Sequence, residues 1–168
     1  MDKRWKPSVT VAAVIENGGR FLLVEEHTPE GLRLNNPAGH LEPGESPEQA
    51  CAREALEETA YAFIPQALVG VYLARFQRPG IAHEDIAEDI TYLRFAFCGQ
   101  LGPLDVQRTL DTGIVRTLWL TADEIRAQES RLRSPLVLQC MEDYLSGQRF
   151  DLGLVHTHPS VRALQPPT

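Results

Sequence analysis

The chain has 168 residues, a formal charge of -7 at pH 7 and 43% hydrophobic residues. That length fits one domain with an ample core. The acidic balance argues against nucleic acid as a partner, because displacing counterions from phosphates needs a basic surface. No apolar run approaches the roughly 20 residues of a membrane span, so no membrane partner is expected either. An anionic small molecule would need a cation to mediate its binding. The start, MDKRWKPSVTVAAVIE, is basic, but its apolar run is short and broken by Glu16, so a cytoplasmic protein without a signal peptide is expected. Cys51, Cys98 and Cys140 are scattered without metal or disulfide spacing and read as buried thiols.

In chain order, residues 9–15 and 20–26 are aliphatic runs joined by Asn17-Gly18-Gly19, which predicts a hairpin. Residues 32–35 read as a short strand. Pro37, Gly39, Pro43 and Gly44 then predict a loop without regular structure. Ser46 is suited to cap a helix, Pro47 to its first position, and Gln49 completes a capping box, so a helix should run to Thr59 or Ala60. Residues 69–77 and 90–98 read as strands around a long acidic loop, and residues 114–120 as a further strand. Thr121 is placed to cap a short helix, and Pro135 opens a last one over residues 136–145 that Gly147 ends. These elements describe a single domain over residues 1–155 and a C-terminal tail over 156–168.

The first helix carries the chemistry. At about 100° per residue, Glu54, Glu57 and Glu58 fall within about a quarter of its circumference, with Ala52, Leu56 and Ala60 on the opposite, buried-looking side. Like charges at this spacing repel, and a divalent cation relieves the cost. Hard oxygen ligands suit Mg²⁺ or Mn²⁺, which share their coordination with substrate phosphates. Three glutamates on a helix are also compatible with a solvated face.

The surrounding sequence favours the metal. The stretch GHLEPGESPEQACAREALEETAY resembles the Nudix box, with Gly39, Glu45, Arg53, Glu54, Glu57 and Glu58 in register. Ala60 and Tyr61 depart from it. Ala60 stands where the family has the glycine that ends the helix, which predicts a different exit or a longer helix. The resemblance implies the Nudix fold, an α/β/α sandwich with a mixed central sheet. It also implies that Glu54, Glu57, Glu58 and the Ala38 carbonyl hold the metal. Glu54 or Glu58 would take the proton from the attacking water, while the Glu45–Arg53 pair fixes loop to helix. In the loop after residue 78, Glu84, Asp85, Glu88 and Asp89 are candidates for a further ligand or general base. Arg33, Arg75 and Arg94 are candidates for phosphate binding, and Trp5, Phe76 and Tyr92 for ring stacking or plain packing.

Outside the box, KPSVTVAAVIE, FLLVEE, NNPAGHLE, LRSPLV and SGQRF resemble the NudJ-type phosphatases of that family, whereas Leu34 and the stretch 79–89 depart from them. This resemblance implies hydrolysis of phosphoanhydrides with release of orthophosphate. The implied substrates are nucleoside di- and triphosphates, thiamine pyrophosphate and hydroxymethylpyrimidine pyrophosphate. A MutT-like nucleotide pyrophosphohydrolase and a non-catalytic ligand sensor are the alternatives. The expected partner is a small-molecule phosphoanhydride, and the expected assembly a monomer or homodimer.

Overall fold

A computed structural model describes residues 4–78 and 88–162. In chain order its strands are β1 Ser8–Val14, β2 Glu16–Asn17, β3 Arg20–Thr28, β4 Gly31–Asn35, β5 Ala38–His40, β6 Tyr61–Arg78, β7 Glu88–Leu104 and β8 Ile114–Thr121. The helices are α1 Pro47–Thr59, α2 Ala122–Arg126 and α3 Pro135–Leu145. Short 3-10 turns sit at Glu129–Arg131, Leu152–Leu154 and Pro159–Val161. Among the described residues no helix is long and apolar enough to cross a membrane.

The central sheet runs β5-β1-β7-β6. β1 is parallel to β7 and antiparallel to β5, so this sheet is mixed. Successive β1 side chains enter opposite cores. Ala12 and Val14 join Ala96, Val69, Val137 and Met141 on the α3 side, whereas Val11, Ala13 and Ile15 join Ala50, Cys51, Ala55 and Phe97 on the α1 side. Cover on both faces explains why β1 reads as a continuous apolar run. The result is the expected α/β/α arrangement, with a second sheet in which β3 pairs with β2, β4 and β8.

Two expectations need correction. The predicted hairpin survives only as the two-residue β2 and the start of β3, paired Asn17 to Arg20 across Gly18 and Gly19, whose φ values are +60° and +81°. β1 itself belongs to the other sheet, because its aliphatic residues are buried on two faces rather than one. The segment expected to be irregular holds β5, a three-residue edge strand on β1. Pro37 is compatible with it, since the Pro37 carbonyl accepts a hydrogen bond from the Ala13 N–H at 2.8 Å and an edge residue needs no second partner.

Candidate active site

α1 begins as its sequence predicts. The Ser46 hydroxyl accepts from the Gln49 N–H at 3.2 Å, and the Gln49 side chain accepts from the Ser46 N–H at 2.9 Å. Its end differs from expectation. The helix is not extended, and Ala60 takes the left-handed conformation at φ 60°, the one positive φ outside glycine among the described residues. The alanine thus makes the glycine's turn at a cost of roughly 1 kcal/mol.

The buried face of α1 also differs. Ala50, Cys51, Glu54, Ala55, Glu58 and Thr59 are buried, while Ala52 and Leu56 are only half-buried. Glu54 and Glu58 therefore lie within the packed face, at 8% exposure each. Small residues at 50, 51 and 55 let the helix approach the sheet closely enough to press these carboxylates against β5.

β5 is built to receive them. Pro37 and Leu41 bond to β1 through the Ala13 N–H and the Val9 carbonyl, so the intervening Ala38 and His40 backbones face the open edge. The Ala38 N–H donates to Glu58 Oε2 at 2.8 Å, and the His40 carbonyl accepts from Arg53 Nη2 at 3.0 Å. Gly39 lies beneath Glu54, where a Cβ would fall 2.1 Å from the Glu54 carboxyl carbon. Glycine is required here by space.

Arg53 is the hub of the arrangement. Its Nε and Nη2 grip both Glu45 oxygens at 3.0 and 2.9 Å. Its Nη1 donates to Glu54 Oε1 at 2.7 Å and Glu57 Oε2 at 3.0 Å. The Glu45–Arg53 hydrogen bonds link loop to helix, and Arg53 also contacts two of the three helix carboxylates.

Electrostatics set the carboxylates apart. Burial pushes the Glu58 carboxyl up to about 8 against the Ala38 N–H, assisted by the charges of Glu54, Glu26 and Asp111. Burial also raises Glu54, with Arg53 opposing. Glu45 is likewise desolvated, but Arg53 and the Glu42 N–H outweigh that and hold it below its ordinary value. Two buried carboxyls driven upward beside a third are what a site awaiting positive charge looks like.

A cavity of about 420 Å³ opens beside Ala38, Gly39 and His40. It lies on the α3 face of the central sheet, where the pairing puts His40, Thr10, Arg94 and Tyr72 in one row. Arg33 and Arg94 line it, as do Arg133, Ser134, Glu26 and Asn35. Seven buried side-chain polar atoms lack a hydrogen-bond partner among the described residues, and six belong to residues lining this cavity, namely Thr10, Glu26, Asn35, Arg94 (two atoms) and Ser134. Such a concentration marks a site for a polar ligand.

The remaining candidates fall elsewhere. Arg75 is on the opposite face of β6 and pairs with Asp89 at 2.5 Å, outside the cavity, because alternation along the strand sends Tyr72 and Phe76 inward and Arg75 outward. Asp89 shares that exposed position. Trp5 stands with them over a separate shallow depression. Glu84 and Asp85, and the side chain of Glu88, lie outside what the structure describes. Phe76 and Tyr92 meet edge to face at 5.7 Å in the cavity wall. Asp111, Glu26, Arg133 and Ser134 were not singled out by sequence. Asp111 arrives through a loop whose N–H bonds the Glu57 carbonyl at 3.0 Å, a contact no local pattern signals.

The NUDIX domain family model matches residues 5–139. The chain belongs to the NUDIX family. It is 40% identical over 152 residues to the Phosphatase NudJ of Escherichia coli K12, covering 90% of this chain and 92% of that one, and equally to that of Shigella flexneri. Among solved NUDIX structures, a hydrolase from Nitrosomonas europaea has a TM-score of 0.79 at 51% identity, covering 91% of this chain and 98% of the other. A MutT NUDIX hydrolase from Burkholderia pseudomallei, at 20% identity and a TM-score of 0.61, shares the fold.

NUDIX proteins imply a divalent cation, and the donor chemistry here fits one. Arg53 engages one oxygen of Glu54 and one of Glu57, which leaves Oε2 of Glu54 and Oε1 of Glu57 without that contact. Among the described residues no three His, Cys, Asp or Glu side chains are grouped so that they could hold a metal ion by themselves. The carboxylates are instead distributed around Arg53 and the edge of β5, an open arrangement suited to a cation that keeps waters and shares substrate oxygens.

Proposed function

We propose that the protein is a Mg²⁺- or Mn²⁺-dependent phosphatase that cleaves the phosphoanhydrides of nucleoside di- and triphosphates, thiamine pyrophosphate and hydroxymethylpyrimidine pyrophosphate, releasing orthophosphate. The observation carrying this reading is the pair of buried, upward-shifted carboxyls Glu54 and Glu58 packed on Gly39 and Ala38 of β5, a strand that also lines a cavity holding Arg33, Arg94 and Arg133. The likeness to the NudJ phosphatases supports orthophosphate as product.

Glu54, Glu57, Glu58 and the Ala38 carbonyl on the open edge of β5 would hold the cation. Bound there, it supplies charge to the phosphate oxygens and acidifies a water. Glu58 is the better proton acceptor of the two catalytic candidates, because Arg53 holds the charge on Glu54 whereas Glu58 has only the Ala38 N–H. Arg53 positions Glu54 and Glu57, and the cavity arginines bind the phosphates. Ion analysis of the products from a nucleoside triphosphate with Mg²⁺ tests the reading. Orthophosphate is expected, and pyrophosphate would assign the protein to the MutT-like reaction instead. Undiminished turnover in Glu58→Gln would remove the carboxylate face from the chemistry.

A further inference from the structure

Arg94 is buried to 8% exposure, yet its Nε and Nη1 have no hydrogen-bond partner among the described residues. Burial draws its pKa down, the mark of a guanidinium that has given up water without full compensation. Ser134 stands at the start of the 11-residue α3 but makes no capping bond, and its hydroxyl is buried without a partner among the described residues. Pro135 brings no N–H to that end, and Leu136, the next residue, lines the same cavity. The Val137 N–H is taken by the Ser134 carbonyl at 3.2 Å, so Leu136 carries the first N–H left over, and the positive end of the α3 dipole borders the cavity that Arg94 also lines. Arg133 stands beside them, held by its N–H to the Leu34 carbonyl at 2.8 Å.

The charges of this space suit an anion at one end. Three guanidiniums, of Arg33, Arg94 and Arg133, meet two carboxylates, of Glu26 and Glu30. Glu26 lines the same space, and Arg133 lies 3.6 Å from it. Arg94 is two strands from β5, about 10 Å across the sheet.

We propose that Arg94, Ser134 and the N-terminal end of α3 form the subsite for the terminal phosphate of the substrate, the group that leaves as orthophosphate. This rests on the phosphatase reading and deepens it. The anhydride bridge would lie at the carboxylate edge and the organic group beyond it, so that phosphates are counted from the far end and the organic group is read weakly. One water is consumed: its oxygen bonds one of the two bridged phosphorus atoms, the bridge to that atom breaks, and the bridging oxygen stays on the other. The water proton passes to Glu58 and then to solvent or product.

Calorimetric titration of inorganic phosphate into the whole protein, with product inhibition by phosphate measured in parallel, tests the subsite. Wild type is expected to bind phosphate, with Arg94→Gln weakening binding about tenfold or more and Ser134→Ala about threefold. Inhibition by phosphate should relax by the same factors. Wild type that binds no phosphate, or Arg94→Gln that folds and binds it unchanged, overturns the proposal. So does competition by the free nucleoside but not by phosphate, which would put the organic group in the cavity. If Arg94→Gln does not fold, Ser134→Ala decides, and unchanged phosphate affinity and inhibition in it count against the subsite. Release of pyrophosphate by wild type would instead defeat the phosphatase reading itself, whatever the phosphate affinity.

Discussion

Replacing Glu58 by glutamine should stabilise the protein in chelator while abolishing its activity. The Glu58 carboxyl is pushed from 4.5 to about 8 in the folded chain. A raised carboxyl pKa means that the folded state holds a proton the unfolded state gives up, so ionisation destabilises the fold as pH rises from about 4.5 towards 8. At 1.36 kcal/mol per unit the cost is under about 1 kcal/mol at pH 5 and about 3 kcal/mol at pH 7, and it levels off above pH 8. Glutamine carries no charge, and its carbonyl still accepts from the Ala38 N–H. Urea unfolding in EDTA at pH 5, 7 and 8 should show Glu58→Gln overtaking wild type by an amount that grows with pH. Added Mg²⁺ should reverse the order, because the cation binds only the folded carboxylate site. Turnover should fall about 10²–10⁴-fold, as for loss of a general base. A stability difference independent of pH would refute the assignment of Glu58 as a charge buried without compensation.

The other predictions test single contacts. Gly39→Ala places a Cβ 2.1 Å from the Glu54 carboxyl carbon and must displace that side chain, so turnover should drop about 10²-fold with a native circular dichroism spectrum. Ala60→Gly should raise stability by about 1 kcal/mol by relieving the left-handed alanine, seen as a higher Tm with unchanged kcat. Arg53→Lys loses the two-pronged grip on Glu45 and the His40 carbonyl. It should cost about 2–3 kcal/mol in chemical unfolding and weaken Mg²⁺ activation.

What could be read from sequence was what is local along the chain. Ser46, Pro47 and Gln49 sit within one turn, so the start of α1 was legible from their spacing, and the six box residues located the carboxylate face. The partition of β1 and β3 into two sheets was not legible, because adjacent aliphatic runs around an Asn-Gly-Gly turn look the same whether or not they pair along their length. The buried position of Glu54 and Glu58 ran against the ordinary exposure of glutamate, and it is accommodated by the bare backbone of Gly39 under Glu54 and by the Ala38 N–H on Glu58. Ala60 takes the left-handed conformation that glycine favours, which its residue type does not signal. The cavity draws on β1, β3, β4, β5, β6, β7 and the start of α3, so its members share no spacing. Arg133 and Ser134 of LRSPLV line the same cavity as Arg94, which nothing local in that stretch signals. Alternation along β6 separated Arg75 from the cavity, a fact that needed the register to settle.

The most direct test of the account is the anion released from a nucleoside triphosphate by the wild-type protein with Mg²⁺, resolved by ion chromatography. The account predicts orthophosphate and a nucleoside diphosphate, with neither formed in EDTA and both formed about 10²–10⁴-fold more slowly by Glu58→Gln. Pyrophosphate and a nucleoside monophosphate as the first products would contradict it.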